Sequence, residues 1–144
     1  MKTYHIKEVS EMLGISSYTL RYYEKIGLLS FVKRDANGVR EFLPKDLVTI
    51  KTIECLKKTN LPLKDIKNYF KLVDQGLDTA NERRELFVKQ KQKVNKEIEA
   101  LEKTLKMINY KLHYYDEVLK TGDLNSCNRE RQELIADIIA GNEK

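Results

Sequence analysis

The chain has 144 residues, 41% of them hydrophobic and 34% charged, with 27 Lys/Arg against 22 Asp/Glu and a net charge of +5. It holds no apolar run near the ~18 residues of a membrane helix, and it opens on Met-Lys-Thr-Tyr-His with no apolar signal core, so a cytoplasmic protein without a membrane partner is expected. Its two cysteines, Cys55 and Cys127, are far apart and form neither a zinc pattern nor a Cys-x-x-Cys pair, so no constitutive disulfide is expected in a reducing compartment.

Residues 6–13 read as a first short helix, because Ile6, Val9, Met12 and Leu13 fall on one helical stripe. Gly14 ends it, Ile15 plugs the turn, and Ser16 is a good N-cap for a helix that starts at Ser17 or Tyr18. Two short helices joined by a glycine-containing turn make a helix-turn-helix, whose second helix enters the DNA groove. In that second helix Leu20, Tyr23 and Ile26 recur at core spacing, and Gly27 stands at the C-cap. Thr19, Arg21 and Tyr22 then offer a hydroxyl, a guanidinium and a phenol to one partner, as phosphate and base-edge contacts require. A plain charged surface helix fits these residues alone about as well. The charge distribution favours a polyanion: residues 1–72 carry 14 Lys/Arg against 8 Asp/Glu, whereas residues 73–144 carry 13 against 14.

Residues 31–34 and 39–42 are β-prone. Asp35-Ala36-Asn37-Gly38 between them carries the Asn-Gly hairpin signal, in which both residues tolerate positive φ. A small two-stranded wing is expected, with Lys33, Arg34 and Arg40 on its arms, placed to straddle a phosphate backbone. A plain solvated hairpin is the alternative. Pro44 suits the first turn of the next helix, which ends near Asn60 and has Leu47, Ile50, Ile53 and Leu56 as its core stripe. Leu63 to Phe70 forms a fourth helix. Residues 1–75 thus read as a winged helix-turn-helix domain.

Gly76 marks a joint, and Asp78 or Thr79 can cap a long helix. Residues 78–121 then run without Pro or Gly for roughly 60 Å at 1.5 Å per residue. One apolar series is Phe87, Val94, Leu101, Ile108 and Tyr115. The other is Lys91, Ile98, Leu105, Leu112 and Leu119. Spacings that alternate between three and four specify a coiled coil. A lone helix cannot bury such a seam on itself, so the expected partner is a second copy, and a dimer of helix-turn-helix units reads a two-fold-symmetric site. Residues 122–144 form a tail. Gly122 breaks the long helix, and Ser126 or Asn128 caps a last helix from Arg129 to about Ala140. Its Leu134, Ile135, Ile138 and Ile139 are expected to pack against the dimer, and the last four residues to fray. The fold class is mainly α.

At this point the chain resembles the MerR family of bacterial transcription regulators. The matching residues are Tyr4-x-Ile6-x-Glu8-Val9, Gly14-Ile15-Ser16, the run from Thr19 to Leu29, Arg34, Asn37-Gly38-x-Arg40, Asp46-Leu47 and Leu63-x-x-Ile66. The family usually has Pro where Phe31 stands, and Tyr where Val39 and Phe42 stand. Without those phenols, wing contacts rest more on Lys33, Arg34 and Arg40. The resemblance implies a winged helix-turn-helix, an antiparallel coiled-coil homodimer, and binding to double-stranded promoter DNA between the two promoter elements. It further implies that the protein bends and untwists an over-long spacer so that RNA polymerase engages both, a bistable deformation of the DNA. Carried over by residue, Ser16, Thr19, Arg21 and Tyr22 are reading-helix contacts, with Tyr18 an addition, and Arg34 and Arg40 are wing contacts.

The signal is less legible. The segment after the long helix, about two dozen residues, is expected to be too short for a drug-binding domain. The family's metal sensors resemble a pattern of two cysteines bracketing a short loop there, whereas Cys127 stands alone, with His113 on the coiled coil and His5 far away. No metal and no cofactor is therefore expected. Cys55, at the flank of its helix with Lys57 and Lys58 following, looks like the aldehyde- and electrophile-responsive branch of the family, with Lys57 and Lys58 placed to favour a thiolate. A small core residue is the equal alternative. A pairing of Cys127 with Cys55 across the dimer is a weaker one. No catalytic pairing, phosphate loop or placed carboxylate pair is present, so an enzyme is not expected. The other readings are a signal-independent architectural DNA-binding protein and a coiled-coil interaction protein, and a preferred promoter with a steep salt dependence separates a regulator from both.

Overall fold

The structure is a computed structural model that describes residues 2–141. Its elements in order are α1 (Ile6–Leu13), α2 (Ser17–Lys25), β1 (Lys33–Arg34), β2 (Arg40–Glu41), α3 (Pro44–Lys58), α4 (Leu63–Asp74), one 3-10 turn (Gly76–Thr79), α5 (Ala80–Thr121) and α6 (Asn128–Ala140). The chain divides into two compact units, residues 1–90 and 91–144, with the boundary inside α5.

In the first unit, each short helix starts and stops for a local reason. Glu8 reaches back to accept the His5 N–H at 2.8 Å, and Asp46 accepts the Leu43 N–H at 2.8 Å, so donors that α1 and α3 leave open are satisfied. Gly14 takes the left-handed conformation at φ 67°, which lets both its own N–H and that of Ile15 donate to Ser10 C=O. That turn sends the chain from α1 into α2. The core beneath is built by Val9, Ile15, Leu20, Tyr23, Leu28, Leu29, Phe42, Ile50, Ile53, Leu56 and Ile66. Each fully buried Leu or Ile contributes on the order of 2 kcal/mol. Leu47 is only half-buried, and Met12 falls off the α1 stripe into solvent. Tyr4 exchanges two backbone hydrogen bonds of 2.9 Å with Phe42, tying the N-terminal segment to the base of the wing.

The hairpin differs from expectation in its turn. Gly38 alone is left-handed, at φ 77°, and Asn37 is not. Asp35 organises the loop instead: its side chain accepts from the N–H of Asn37 at 2.8 Å and of Val39 at 3.0 Å. An Asx turn therefore takes the place of a two-residue Asn-Gly turn. The strands pair antiparallel, Lys33 with Glu41 and Arg34 with Arg40.

Thr79 does not serve as a side-chain cap. Its hydroxyl donates back to Leu72 C=O, and Arg83 Nε donates to Thr79 Oγ1 at 3.1 Å, which fastens the end of α4 to the start of α5. Phe87, expected on the coiled-coil seam, lies edge-on to Tyr69 at 5.5 Å between centroids and packs on the first unit's core. A bulky ring one α5 turn beyond Arg83 is captured by the nearest apolar surface of its own domain.

In the second unit, α5 runs for 42 residues in all, and α6 follows a short loop. Tyr114 is buried and donates its hydroxyl to Leu124 C=O at 2.9 Å. The Arg131 guanidinium lies over the Tyr114 ring at 5.3 Å. Cys127, rather than Ser126 or Asn128, stands at the N-cap of α6, and no side chain caps it. Leu101, Leu105, Ile108, Leu112, Tyr115 and Leu119 are exposed along α5, as are Ile135, Ile138 and Ile139 on α6. The fraying expected at the C-terminus falls mostly on residues 142–144, outside the described residues. No helix among the described residues is long and apolar enough to cross a membrane.

Candidate nucleic-acid interface

Helix α2 has two faces. Leu20 and Tyr23 are buried, while Tyr18, Arg21, Tyr22 and Lys25 are exposed. At 100° per residue those four fall on one side of α2, opposite the core. Tyr18, the addition to the expected set, is 79% exposed. Ser16 and Thr19 stand at the start of the same helix. The Ser16 hydroxyl accepts the Thr19 N–H at 3.1 Å and lies 2.8 Å from Thr19 Oγ1. Both hydroxyls therefore build the cap first. Lys25 was missed by sequence reasoning, although its i,i+4 spacing from Arg21 carries the signal.

The wing arginines are placed otherwise than on a free surface. Arg40 Nε and Arg34 Nη2 each lie 2.7 Å from a Glu24 carboxylate oxygen, and Arg40 Nη2 adds a second bond at 3.1 Å. Arg34 also donates to Gly38 C=O at 2.7 Å. Hydrogen bonds from Arg40, then Arg34, hold the Glu24 carboxyl below the usual carboxylate range. One carboxylate on α2 thus pins both strands of the wing. Arg40 is drawn inward, Arg34 keeps about half its side chain in solvent, and Lys33 is exposed without an ion pair among the described residues. On α2 and the wing, Arg21, Lys25 and Lys33 are exposed without an ion pair among the described residues, and Arg34 is half-exposed.

A second link fixes α2 from behind. The Tyr23 hydroxyl donates to Glu54 Oε1 and accepts from Lys57 Nζ at 2.6 Å, with the same ammonium 4.8 Å from the ring centroid. Burial, then the hydrogen bond to Glu54, raises the Tyr23 phenol well above its ordinary value, so it stays a neutral donor. Glu54 and Lys57 flank Cys55 on α3. Cys55 itself is exposed, so it is not a core-packing residue of its own domain. Lys57 is engaged with Tyr23 rather than standing free beside the thiol.

Residues 4–72 match the MerR HTH family regulatory protein profile, and residues 47–109 match the MerR DNA-binding profile. A Haemophilus influenzae protein described as an uncharacterized HTH-type transcriptional regulator is 40% identical over 126 residues, which are 88% of this chain and 93% of that one. The chain belongs to the MerR family. The uncharacterized HTH-type transcriptional regulator YyaN of Bacillus subtilis is 35% identical over 123 residues, covering 84% of this chain and 86% of its own. Among solved structures, HiNmlR, a MerR family regulator lacking the sensor domain and bound to promoter DNA, superposes with a TM-score of 0.83 at 40% identity, covering 88% of this chain and 96% of its own. This MerR chain is a DNA-binding transcriptional regulator and not an enzyme.

In this MerR chain the Glu24 pins can be tested directly. Glu24→Gln is expected to cost about 1 kcal/mol, the upper end for a partly exposed pair, because a bidentate arginine is involved. The carboxyl's folded-state pKa is depressed, so its stabilisation is complete above the unfolded carboxylate value of about 4.3 and is lost as pH falls through the lower folded value. Urea melts of both proteins should show a constant gap near neutral pH that closes under acid. A gap unchanged at pH well below that range would contradict the pin.

Proposed function

We propose that the chain acts as a cytoplasmic homodimer that binds a promoter spacer, distorts the duplex, and so controls RNA polymerase only through the DNA. The observation that carries this reading is the exposed α2 face of Tyr18, Arg21, Tyr22 and Lys25, rigidly backed by the Tyr23 link and set beside a wing pinned by Glu24. In this reading Ser16, Tyr18, Thr19, Arg21 and Tyr22 contact the groove, and Lys33 and Arg34 contact phosphates. Arg40 acts through the wing it holds. Residues 1–75 form the DNA-binding domain, 78–121 the dimerisation helix and 122–144 the tail. The dimer is an antiparallel coiled coil along Val94, Ile98, Leu101, Leu105, Ile108, Leu112, Tyr115 and Leu119. Support comes from the exposure of most of that seam in one chain and from the promoter-bound state of HiNmlR.

The signal proposed is a small aldehyde or related electrophile at Cys55. The thiol adds across the carbonyl, forming a sulfur–carbon bond while its proton passes to the carbonyl oxygen. An exposed thiol suits that reaction. The adduct would sit between Glu54 and Lys57, both of which hold Tyr23 of the reading helix, so a shift of α3 reaches α2 through two polar contacts. HiNmlR, described as lacking the sensor domain, is matched over 96% of its length, which favours a signal read within the shared fold.

Run-off transcription from the promoter beside the chain's own gene, with and without aldehyde, tests both parts. Transcript is expected to rise with aldehyde for the wild type and to stay flat for Cys55→Ser, with promoter binding unchanged in the variant. A Cys55→Ser protein that still responds fully would remove Cys55 from the account and leave the DNA-binding reading standing.

A further inference from the structure

Gly27 to Phe31 carry the chain from α2 toward the wing, and this segment meets the first turns of α3 and the last turns of α4 around a cleft of about 580 Å³. All of its walls belong to the first unit. Buried Leu28 and half-buried Phe70 form its floor, and the more exposed Phe31 and Val73 also line it. Lys45 from α3 and Lys67 and Lys71 from α4 stand at its rim, all three exposed and without an ion pair among the described residues. We propose that this cleft binds a compact aromatic carboxylate, with its rings against Phe31 and Phe70 and its carboxylate among the three ammoniums.

The lining selects the ligand. The volume falls within the ordinary range of small-molecule sites, roughly 300–1,000 Å³. Lys67 and Lys71 stand one turn apart on α4, a spacing at which like charges repel and a bound anion relieves them. Two carboxylates also line the cleft, but neither pairs with a rim lysine. Asp46 is 3% exposed and is committed to the Leu43 N–H, and Asp74 makes no ion pair among the described residues. An inorganic anion would leave the two phenylalanine rings uncovered, and a neutral aromatic would leave the ammoniums without a counter-charge. A flat aromatic body matches Phe31 and Phe70 through offset or edge-to-face contact, and a carboxylate accepts charge-assisted hydrogen bonds from lysine. Tyr18, Arg21, Tyr22 and Lys25 of α2 do not line the cleft, nor do Lys33 and Arg34 of the wing, nor does Cys55. The site is therefore separate from the proposed groove contacts and from the proposed aldehyde signal.

Calorimetric titration of the full-length protein with 2-naphthoate tests this site, with the uncharged 2-naphthamide as control. Naphthoate should saturate one site per chain with a Kd below about 1 mM, and the amide should bind roughly tenfold more weakly. Lys67→Ala combined with Lys71→Ala should weaken naphthoate binding roughly tenfold or more. Ser30→Trp keeps every charge but fills the cleft from an exposed loop position, and it should weaken naphthoate binding to a similar degree. All three substituted residues are exposed, so circular dichroism should stay native in both variants. Cys55→Ser should bind naphthoate as the wild type does. The rim lysines would otherwise serve the phosphates of DNA, and promoter affinity without naphthoate separates the two sources of anion. It should stay within about twofold in the lysine variant at physiological salt, where distant exposed charges are screened. The proposal is overturned by no saturable binding, by equal affinity for the amide, by unchanged affinity in either cleft variant, or by a loss of promoter affinity in the lysine variant as large as its loss of naphthoate.

Discussion

Leu105→Glu combined with Leu112→Glu should convert the protein to a monomer and remove detectable promoter binding. Both residues are more than half exposed in a single chain and lie one heptad apart on α5. In a two-stranded coil each meets its counterpart's seam, where an unpaired carboxylate costs about 3 kcal/mol or more. Each substitution appears twice per dimer, so the loss exceeds what a typical dimer holds in reserve. The α5 helix survives, because glutamate is a good helix former and the seam is solvated in the monomer. The first unit should keep its fold, since its core is independent of these positions. Sedimentation equilibrium measures the mass and circular dichroism the helix. A double variant that remains dimeric would show that α5 is not the dimerisation element.

Arg21→Ala should lower promoter affinity by about 1–3 kcal/mol per subunit, that is by roughly five- to 150-fold for each half-site. The guanidinium is exposed at the centre of the α2 outer face and has no ion pair among the described residues, so its removal leaves the domain itself intact. This separates it from Arg40, whose replacement leaves Glu24 held by Arg34 alone and loosens the wing. The two variants should therefore differ in kind. Arg21→Ala should bind weakly with an unchanged melting temperature, and Arg40→Ala should lose stability as well as affinity. Fluorescence anisotropy on promoter DNA beside thermal melts resolves the two. Full affinity in Arg21→Ala would move the reading surface off α2.

Much of the first unit was legible because its helices are short, strongly punctuated and amphipathic. Ser16, Gly14 and Pro44 mark boundaries through chemistry that acts within a few residues. Tyr23 and Leu20 follow from helical spacing alone. What sequence could not reveal lies in contacts between distant segments. Glu24 reads as one more acid on a charged helix until the hairpin folds back and delivers Arg34 and Arg40 to it. Asp35, not Asn37, leads the wing turn, because an Asx hydrogen bond competes with the left-handed Asn-Gly pair. Phe87 fits the heptad as well as Val94 does, and its edge-on contact with Tyr69 in the same chain is invisible to that pattern. His113 and Cys127 are fourteen positions apart in the sequence and meet across the loop that follows α5, which Gly122 opens at φ 70°. For Glu24, Phe87 and His113 a pairing between distant segments overrides the local pattern, whereas at Asp35 one local signal displaces another.

The central claim is that a dimer of these chains recognises one promoter. Competition binding at several salt concentrations, with the promoter beside the chain's own gene against bulk genomic DNA, tests it most directly. The account predicts a preference of about a thousandfold or more for the promoter, two chains per site, and affinity that falls linearly on a log–log salt plot. Equal affinity for promoter and bulk DNA at every salt concentration would contradict it.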